Sequence, residues 1–191
     1  LVHGFVNDEP DRVKRTLGIS WPLMVNMCVF AGSICHDEKD FSWYFHSEYG
    51  NCYQFKTGKV SSRTGRRHGL NMMVFVGAPA NPNSITFESG ARLFIHNQTE
   101  SPKSVEGISV MPGTSMNIAL KKRVHNKLPK PFNDCHDTAK PFDGFFYAKT
   151  LELGYAYKQK TCLDLCVQDY LSRQCNCSDS SYPKLYNNVS H

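Results

Sequence analysis

The cysteines constrain this chain more than any other feature. Four are clustered as Cys162-x3-Cys166-x8-Cys175-x-Cys177, and the others stand at Cys28, Cys35, Cys52 and Cys135. Eight cysteines in 191 residues admit two physical readings, a metal site or a disulfide framework. Thiolates bind zinc, but structural zinc sites usually use knuckles of the C-x2–4-C kind, and Cys175-x-Cys177 is too tight for that form. Three sequons, Asn97-Gln98-Thr99, Asn176-Cys177-Ser178 and Asn188-Val189-Ser190, point to an oxidising compartment in which close thiols become cystines. Disulfides are therefore favoured over a metal, and no cofactor is implied. Asn176 lies between two cysteines, where a glycan is crowded, so Asn97 and Asn188 are the better acceptors.

Residues Tyr155 to Arg173 have helical spacing. On such a helix Cys162 and Cys166 share one face, with Leu163, Val167 and Tyr170 supplying apolar contact. Cysteines pointing the same way bridge to a facing segment rather than to each other. No stretch within residues 1–161 has matching spacing, so the partners are expected after His191. The opening Leu1-Val2-His3-Gly4 has neither an initiator Met nor a basic-then-apolar signal. The best apolar runs, Leu23–Ala31 and Met72–Ala80, are interrupted by Asn26 and by Gly77 and Pro79, short of the roughly 20 residues of a membrane helix. The expectation is an excerpt from a longer exported polypeptide.

Hydrophobic residues make up 40% and charged residues 20%, enough apolar material for a real core. The net charge of +5 is mild. Its densest stretches, Arg63–His68 and Lys121–Lys130, lack the interleaved aromatics of an RNA-binding sheet, so solvated faces are expected and no nucleic-acid partner. Pro10 to Leu17 fits a short helix ended by Gly18. Phe41, Trp43, Tyr44, Phe45 and Tyr49 form an aromatic cluster suited to a small core. Strands are expected around Tyr53 and Phe55, at Leu70–Val76, Ala91–His96 and Ile108–Val110, and again over Thr114–Lys121; short strands cut by Gly and Pro describe antiparallel sheet. Leu128-Pro129-Lys130-Pro131-Phe132 is a stiff extended connector. No Gly-x-Ser-x-Gly, His-Glu-x-x-His or phosphate loop is present, and a lone histidine such as His96 reads as structural, so no enzyme is expected.

Several segments together resemble the extracellular region of the degenerin/epithelial sodium channel family, which also holds acid-sensing and FMRFamide-gated channels. Glu48-Tyr49-Gly50-Asn51-Cys52-Tyr53-Gln54-Phe55 is similar to its YGNCYTF signature, with Gln54 where Thr is usual. Gly90 to Gln98 resembles its G-x-R-x-x-IH-x-Q strand. Val110-Met111-Pro112-Gly113, Ile118-Ala119-Leu120, Leu128-Pro129-x-Pro131-Phe132-x-x-Cys135, Tyr155-x-Tyr157, the final cysteine cluster and Tyr182-Pro183 follow in the family's order.

The resemblance implies a hand-like α+β fold with an antiparallel β palm and β-ball. Residues 1–48 would belong to the finger, 49–134 to the palm and β-ball, and 135–191 to the wrist and first part of a disulfide-rich thumb; both membrane helices would lie elsewhere. It implies a local Cys28–Cys35 disulfide, a partner for Cys52 upstream of Leu1, and partners after His191 for Cys135, Cys162, Cys166, Cys175 and Cys177. Bridges closing long loops contribute about 2–5 kcal/mol each, so the isolated segment is expected to be unstable. Phe132 matches the wrist aromatic that couples thumb movement to the gate. Function by resemblance is the extracellular gating region of a sodium-selective, amiloride-sensitive plasma-membrane channel, assembled as a homo- or heterotrimer, with a peptide as one possible ligand. One departure bears on proton gating: acid-sensing members carry adjacent carboxylates after the IH-x-Q strand, whereas here the pair is Thr99-Glu100. Arg12-Val13-Lys14-Arg15 matches a furin-type pattern (Arg12, Lys14 and Arg15), with a solvated helical turn as the plainer account. The rival from another class is a secreted cysteine-rich binding module.

Overall fold

The structure, a computed structural model, describes residues 9–76, 89–97, 99–100, 107–134, 144–179 and 181–186. Pro10 opens helix α1 (Asp11–Thr16), consistent with its fixed φ at a helix start, and Thr16 turns its hydroxyl back onto the Val13 carbonyl as the helix ends. A second short helix, α2 (Trp21–Met24), again has Pro in its first turn and runs directly into β1 (Val25–Phe30). The hairpin from β1 to β2 (Ser33–Ile34) turns through Ala31 (φ 50°) and Gly32 (φ 80°), and two left-handed residues give the twist that suits a two-residue hairpin. The other edge of β1 pairs antiparallel with β5 (Leu70–Val74), with a register irregularity between Val25 and Met27.

After α3 (Asp37–Asp40), strands β3 (Phe41–His46) and β4 (Gly50–Phe55) form a second hairpin, with Phe41 opposite Phe55 and Tyr44 opposite Cys52. The pairing runs across the division expected between residues 48 and 49, so those two regions share one sheet. A third hairpin joins β6 (Ala91–Phe94) to β7 (Gly107–Val110). It requires Gly90: at φ 139° a Cβ there would stand 2.2 Å from the Val110 carbonyl oxygen. Helices α4 (Phe145–Glu152) and α5 (Gln159–Cys175) complete the described elements. The chain is thus α+β with antiparallel sheets.

The core lies between the first two sheets. Val25, Cys28, Cys35 and Phe41 are buried, with Trp21, Met24, Phe30, Tyr53 and Phe55 packed around them. Ring centroids of Trp21 and Phe41, Phe41 and Phe55, and Phe30 and Phe55 are 5.5, 5.1 and 5.2 Å apart, the spacing of tilted and edge-to-face aromatic pairs. Asp40 fixes the entry to this hairpin: its carboxylate accepts the His36 N–H at 2.8 Å and its carbonyl accepts from Lys56 N at 2.6 Å. That N–H first, then the Thr57 hydroxyl and Lys59, holds its pKa below the ordinary 3.8. A depressed carboxylate stabilises the fold above its unfolded value, and the contribution fades only as pH falls through the lower folded value.

Two sequence expectations are corrected here. Thr114–Lys121 forms no strand among the described residues: Met116, Ile118 and Leu120 alternate as a strand would, yet all three are exposed and no neighbouring strand pairs with them. The helix expected from Tyr155 begins only at Gln159. Gly154 turns the chain at φ 78°, and the Ala156 N–H is taken by the Thr99 carbonyl at 2.8 Å, so residues 155–158 are held outside the helix.

Candidate functional site

Three structural junctions gather the residues that the sequence singled out. The first ties α1 to the β3–β4 hairpin. Asn51 is 5% exposed and its amide is engaged on both sides: Oδ1 accepts from Trp43 Nε1 at 3.0 Å, while Nδ2 donates to the carbonyls of Arg15 at 2.9 Å and Ile19 at 3.4 Å. Tyr53 donates its hydroxyl to the same Ile19 carbonyl at 3.0 Å. The guanidinium of Arg15 lies 4.2 Å above the Trp43 ring and Lys14 lies 5.8 Å from the centre of Phe45. The basic stretch Arg12–Arg15 is therefore helical and partly fastened down, and a protease that needs an extended substrate would have to unwind α1 to cut after Arg15.

In the same hairpin, Cys52 is an unbonded thiol that shares a hydrogen bond with the Tyr44 hydroxyl. Burial pushes Cys52 up to about 11 from 9.0, and burial first, then Cys52, raises Tyr44 as well. The thiol thus stays protonated at neutral pH, and the hairpin loses stability only as pH climbs from about 9 toward 11, where an unfolded thiol ionises and the folded one resists. At pH 8 such a group holds about a hundredth of the thiolate of an unshifted one. In a preparation of the 191-residue chain shown to be folded by circular dichroism, iodoacetamide should accordingly label Cys52 far more slowly than the exposed Cys166, with the difference vanishing in urea. Equal rates in the folded chain would show that the Tyr44–Cys52 contact does not protect the sulfur.

A second junction links the β3–β4 turn to β6. His46, 7% exposed, stacks on Phe94 at 5.8 Å and 17° and lies 4.7 Å from Tyr49, while its Nδ1 accepts from the Glu48 N–H at 3.2 Å. His96 is also engaged by protein: Nδ1 is 2.8 Å from the Asn97 carbonyl and Nε2 is 3.4 Å from Gln54 Nε2, satisfied if Nδ1 carries the proton.

The third junction surrounds α5. Thr161, Leu165 and Gln168 form its buried side. Gln168 mimics a strand partner, its Nε2 donating to the Asp179 carbonyl and its Oε1 accepting from the Asp179 N–H, both at 3.0 Å. Tyr186 donates to Asp169 at 2.7 Å, and Arg173 meets the same carboxylate at 2.9 Å. These contacts fold residues 177–179 and 181–186 back onto the helix, with Leu185 buried beneath them. The opposite side carries Leu163, Val167 and Tyr170, which are 58%, 42% and 63% exposed. The apolar contact expected from these three is not made within the described residues, because the tail and α4 take the other side. Cys162 is half-buried and Cys166 exposed, and both are unbonded. The N-terminus of α5 is held to the turn after β6 by the Thr99–Ala156 hydrogen bond and by Lys158, whose Nζ is 2.6 Å from Glu100 Oε2. Glu100 thus faces an ammonium.

Cys28 and Cys35 are joined, with Cα atoms 5.3 Å apart. Cys175 and Cys177 also stand together. The resemblance gave both of them partners after His191, but here they are bonded to each other. Asn176 ends α5 in the left-handed region (φ 49°, ψ 37°), and that reversal leaves the flanking Cα atoms 5.2 Å apart. Cys135 and Asn188 lie outside the described residues, and Asn97 is exposed. Phe132 is 72% exposed in a turn closed by its N–H on the Pro129 carbonyl at 3.1 Å. Among the described residues, no helix is long and apolar enough to cross a membrane.

A family model described as "Amiloride-sensitive sodium channel" matches residues 6–191. The chain belongs to the amiloride-sensitive sodium channel family. Among curated proteins it is 32% identical over 179 residues to Degenerin deg-1 of Caenorhabditis elegans, covering 91% of this chain and 22% of that protein. It is 29% identical over 175 residues to the FMRFamide-activated amiloride-sensitive sodium channel of Cornu aspersum (85% and 26%) and 28% identical over 168 residues to epithelial sodium channel subunit beta of Homo sapiens (84% and 26%). The chain therefore spans about a quarter of the length of these relatives. Within this sodium channel family segment, sequence motifs pointed to Asn51 only indirectly and to Gln168 not at all. Asn51 sits inside a recognised signature, but nothing in the string marks it as the tie to α1; Gln168 had no signal at all.

Proposed function

We propose that this chain is the extracellular gating region of a sodium-selective, amiloride-sensitive channel subunit of the plasma membrane. The family match over residues 6–191 carries this reading. The uncovered Leu163, Val167 and Tyr170 side of α5, bearing Cys162 and Cys166, supports it: an apolar stripe with thiols suits a second segment of the same subunit, cross-linked as in a disulfide-rich thumb. Cys52 and Cys135 would be bridged to other parts of the subunit in the same manner. In the hand-like arrangement, Phe132, exposed on a proline-stiffened connector, is the contact to the membrane-spanning part. Assembly is with other subunits of the family as a homo- or heterotrimer, and a peptide is one candidate stimulus. The Glu100–Lys158 pair, with Thr99 beside Glu100 where acid-sensing relatives carry a second carboxylate, favours a stimulus other than protons.

The test is expression of the full-length subunit in oocytes, with an epitope placed in the exposed stretch Arg63–Arg67. Amiloride-blocked sodium current together with staining of intact cells is the expected result. Release of the protein into the medium without current would favour a secreted cysteine-rich module instead, and staining only after permeabilisation would refute the extracellular placement.

A further inference from the structure

We infer that Asn97 carries an N-linked glycan and that the turn displaying it faces solvent in the assembled channel, away from neighbouring subunits. This rests on the extracellular placement proposed above, but not on sodium conduction. The described sequons differ in what surrounds them. Asn176 is the left-handed residue that ends α5, it lies between two bonded cysteines, and Ser178 is only 9% exposed. Asn176 is itself exposed, but the buried serine and the flanking disulfide leave its acceptor motif less room for a transferase.

Asn97 offers the opposite arrangement. It leaves β6 in a turn closed by the Glu100 N–H on the Asn97 carbonyl at 3.0 Å, and the His96 contact at 2.8 Å engages that same carbonyl. Asn97 and Thr99 are exposed, while the backbone behind them is anchored through Thr99 to Ala156 and through Glu100 to Lys158. The backbone is fixed by its carbonyls and the two side chains of the acceptor motif project outward, as a surface sequon requires. In the reaction the Asn97 amide nitrogen displaces the diphosphate of a lipid-linked oligosaccharide, forms a bond to the anomeric carbon and loses one proton. A branched, hydrated sugar on the Asn97 side chain leaves the Thr99 and Glu100 contacts to α5 in place behind it but excludes a neighbouring subunit, so this side of the turn is assigned to the outer surface of the assembly.

The experiment uses the full-length subunit from eukaryotic cells. Enzymatic deglycosylation in heavy-oxygen water, followed by peptide mass spectrometry, converts an occupied asparagine into labelled aspartate. Label on most Asn97 peptides and none on Asn176 is expected, and it needs no variant that could misfold. N97Q and T99A should each remove one glycan from the electrophoretic ladder, whereas T99S retains it. An unlabelled Asn97 alongside labelled sequons elsewhere in the subunit overturns the inference and leaves the extracellular placement standing; no label at any sequon, with no surface staining, overturns both. Deglycosylation of the native, assembled channel should release the Asn97 glycan. Resistance there, with release after dissociation, would bury the turn in a subunit contact and overturn the second half of the inference.

Discussion

Asn51→Ala should lower the stability of this region by about 2–4 kcal/mol, because it leaves the half-buried Trp43 N–H and the Arg15 carbonyl without this partner and opens a small void between α1 and the hairpin. Losses of even 1–2 kcal/mol change cellular abundance several-fold, so pulse-chase and surface biotinylation of the full subunit should show a large drop in mature protein. Gly18 supplies an internal control. A Cβ on Gly18 would sit 2.9 Å from Asn51 Cγ, so Gly18→Ala should be costly in the native background and milder once Asn51 is alanine. Strictly additive effects in that cycle would separate the two positions and remove Asn51 as the cause of the Gly18 requirement.

The second large effect is expected at Gln168, which is fully buried. Gln168→Ala deprives both the N–H and the carbonyl of Asp179 of their partner and leaves a cavity beneath Asp179, a loss of about 2–4 kcal/mol in the docking of that tail. Trypsin should then cut after Lys184 much faster in the variant subunit, because Leu185 no longer stays buried against α5. Unchanged cleavage would mean that Tyr186 and Asp169 hold the tail without the glutamine. Mild acid is a useful contrast. The Tyr186 hydroxyl first, and then Arg173, depresses Asp169 below the ordinary 3.8. Its contribution is complete above that value and fades only below it, so the native tail should stay docked between pH 7 and 5.

Local signals in the sequence located most of the elements. Pro10 and Gly18 bracket α1, Gly90 and the Pro112-Gly113 pair bracket the β6–β7 hairpin, and the run at Leu70 forms a strand. The cysteine spacing likewise placed Cys162 and Cys166 on one helix. Three things were not legible, each for a physical reason. Periodicity tells which side chains share a side of α5 but not which side the rest of the chain covers, and here polar Thr161 and Gln168 are inside while Leu163 and Tyr170 are out. The alternation over Thr114–Lys121 is a strand pattern, but a strand exists only where another donates and accepts its backbone hydrogen bonds. The Cys175–Cys177 bond depends on a single left-handed residue, and Asn is one of the few non-glycine residues that visits that region readily, a preference too weak to read from the string.

The paired contacts at the start of α5 have a mechanical consequence. One backbone hydrogen bond, Ala156 to Thr99, and one ion pair on long flexible stems, Lys158 to Glu100, fix a point without fixing a direction. A rod pinned at one end in this way, with α4 packed along its side and carried with it, would swing rather than slide. Displacement at the far end of α5, where Cys175 and its folded-back tail travel with the rod, would become rotation about the β6 turn, with the arm of the lever set by the 17 residues of the helix.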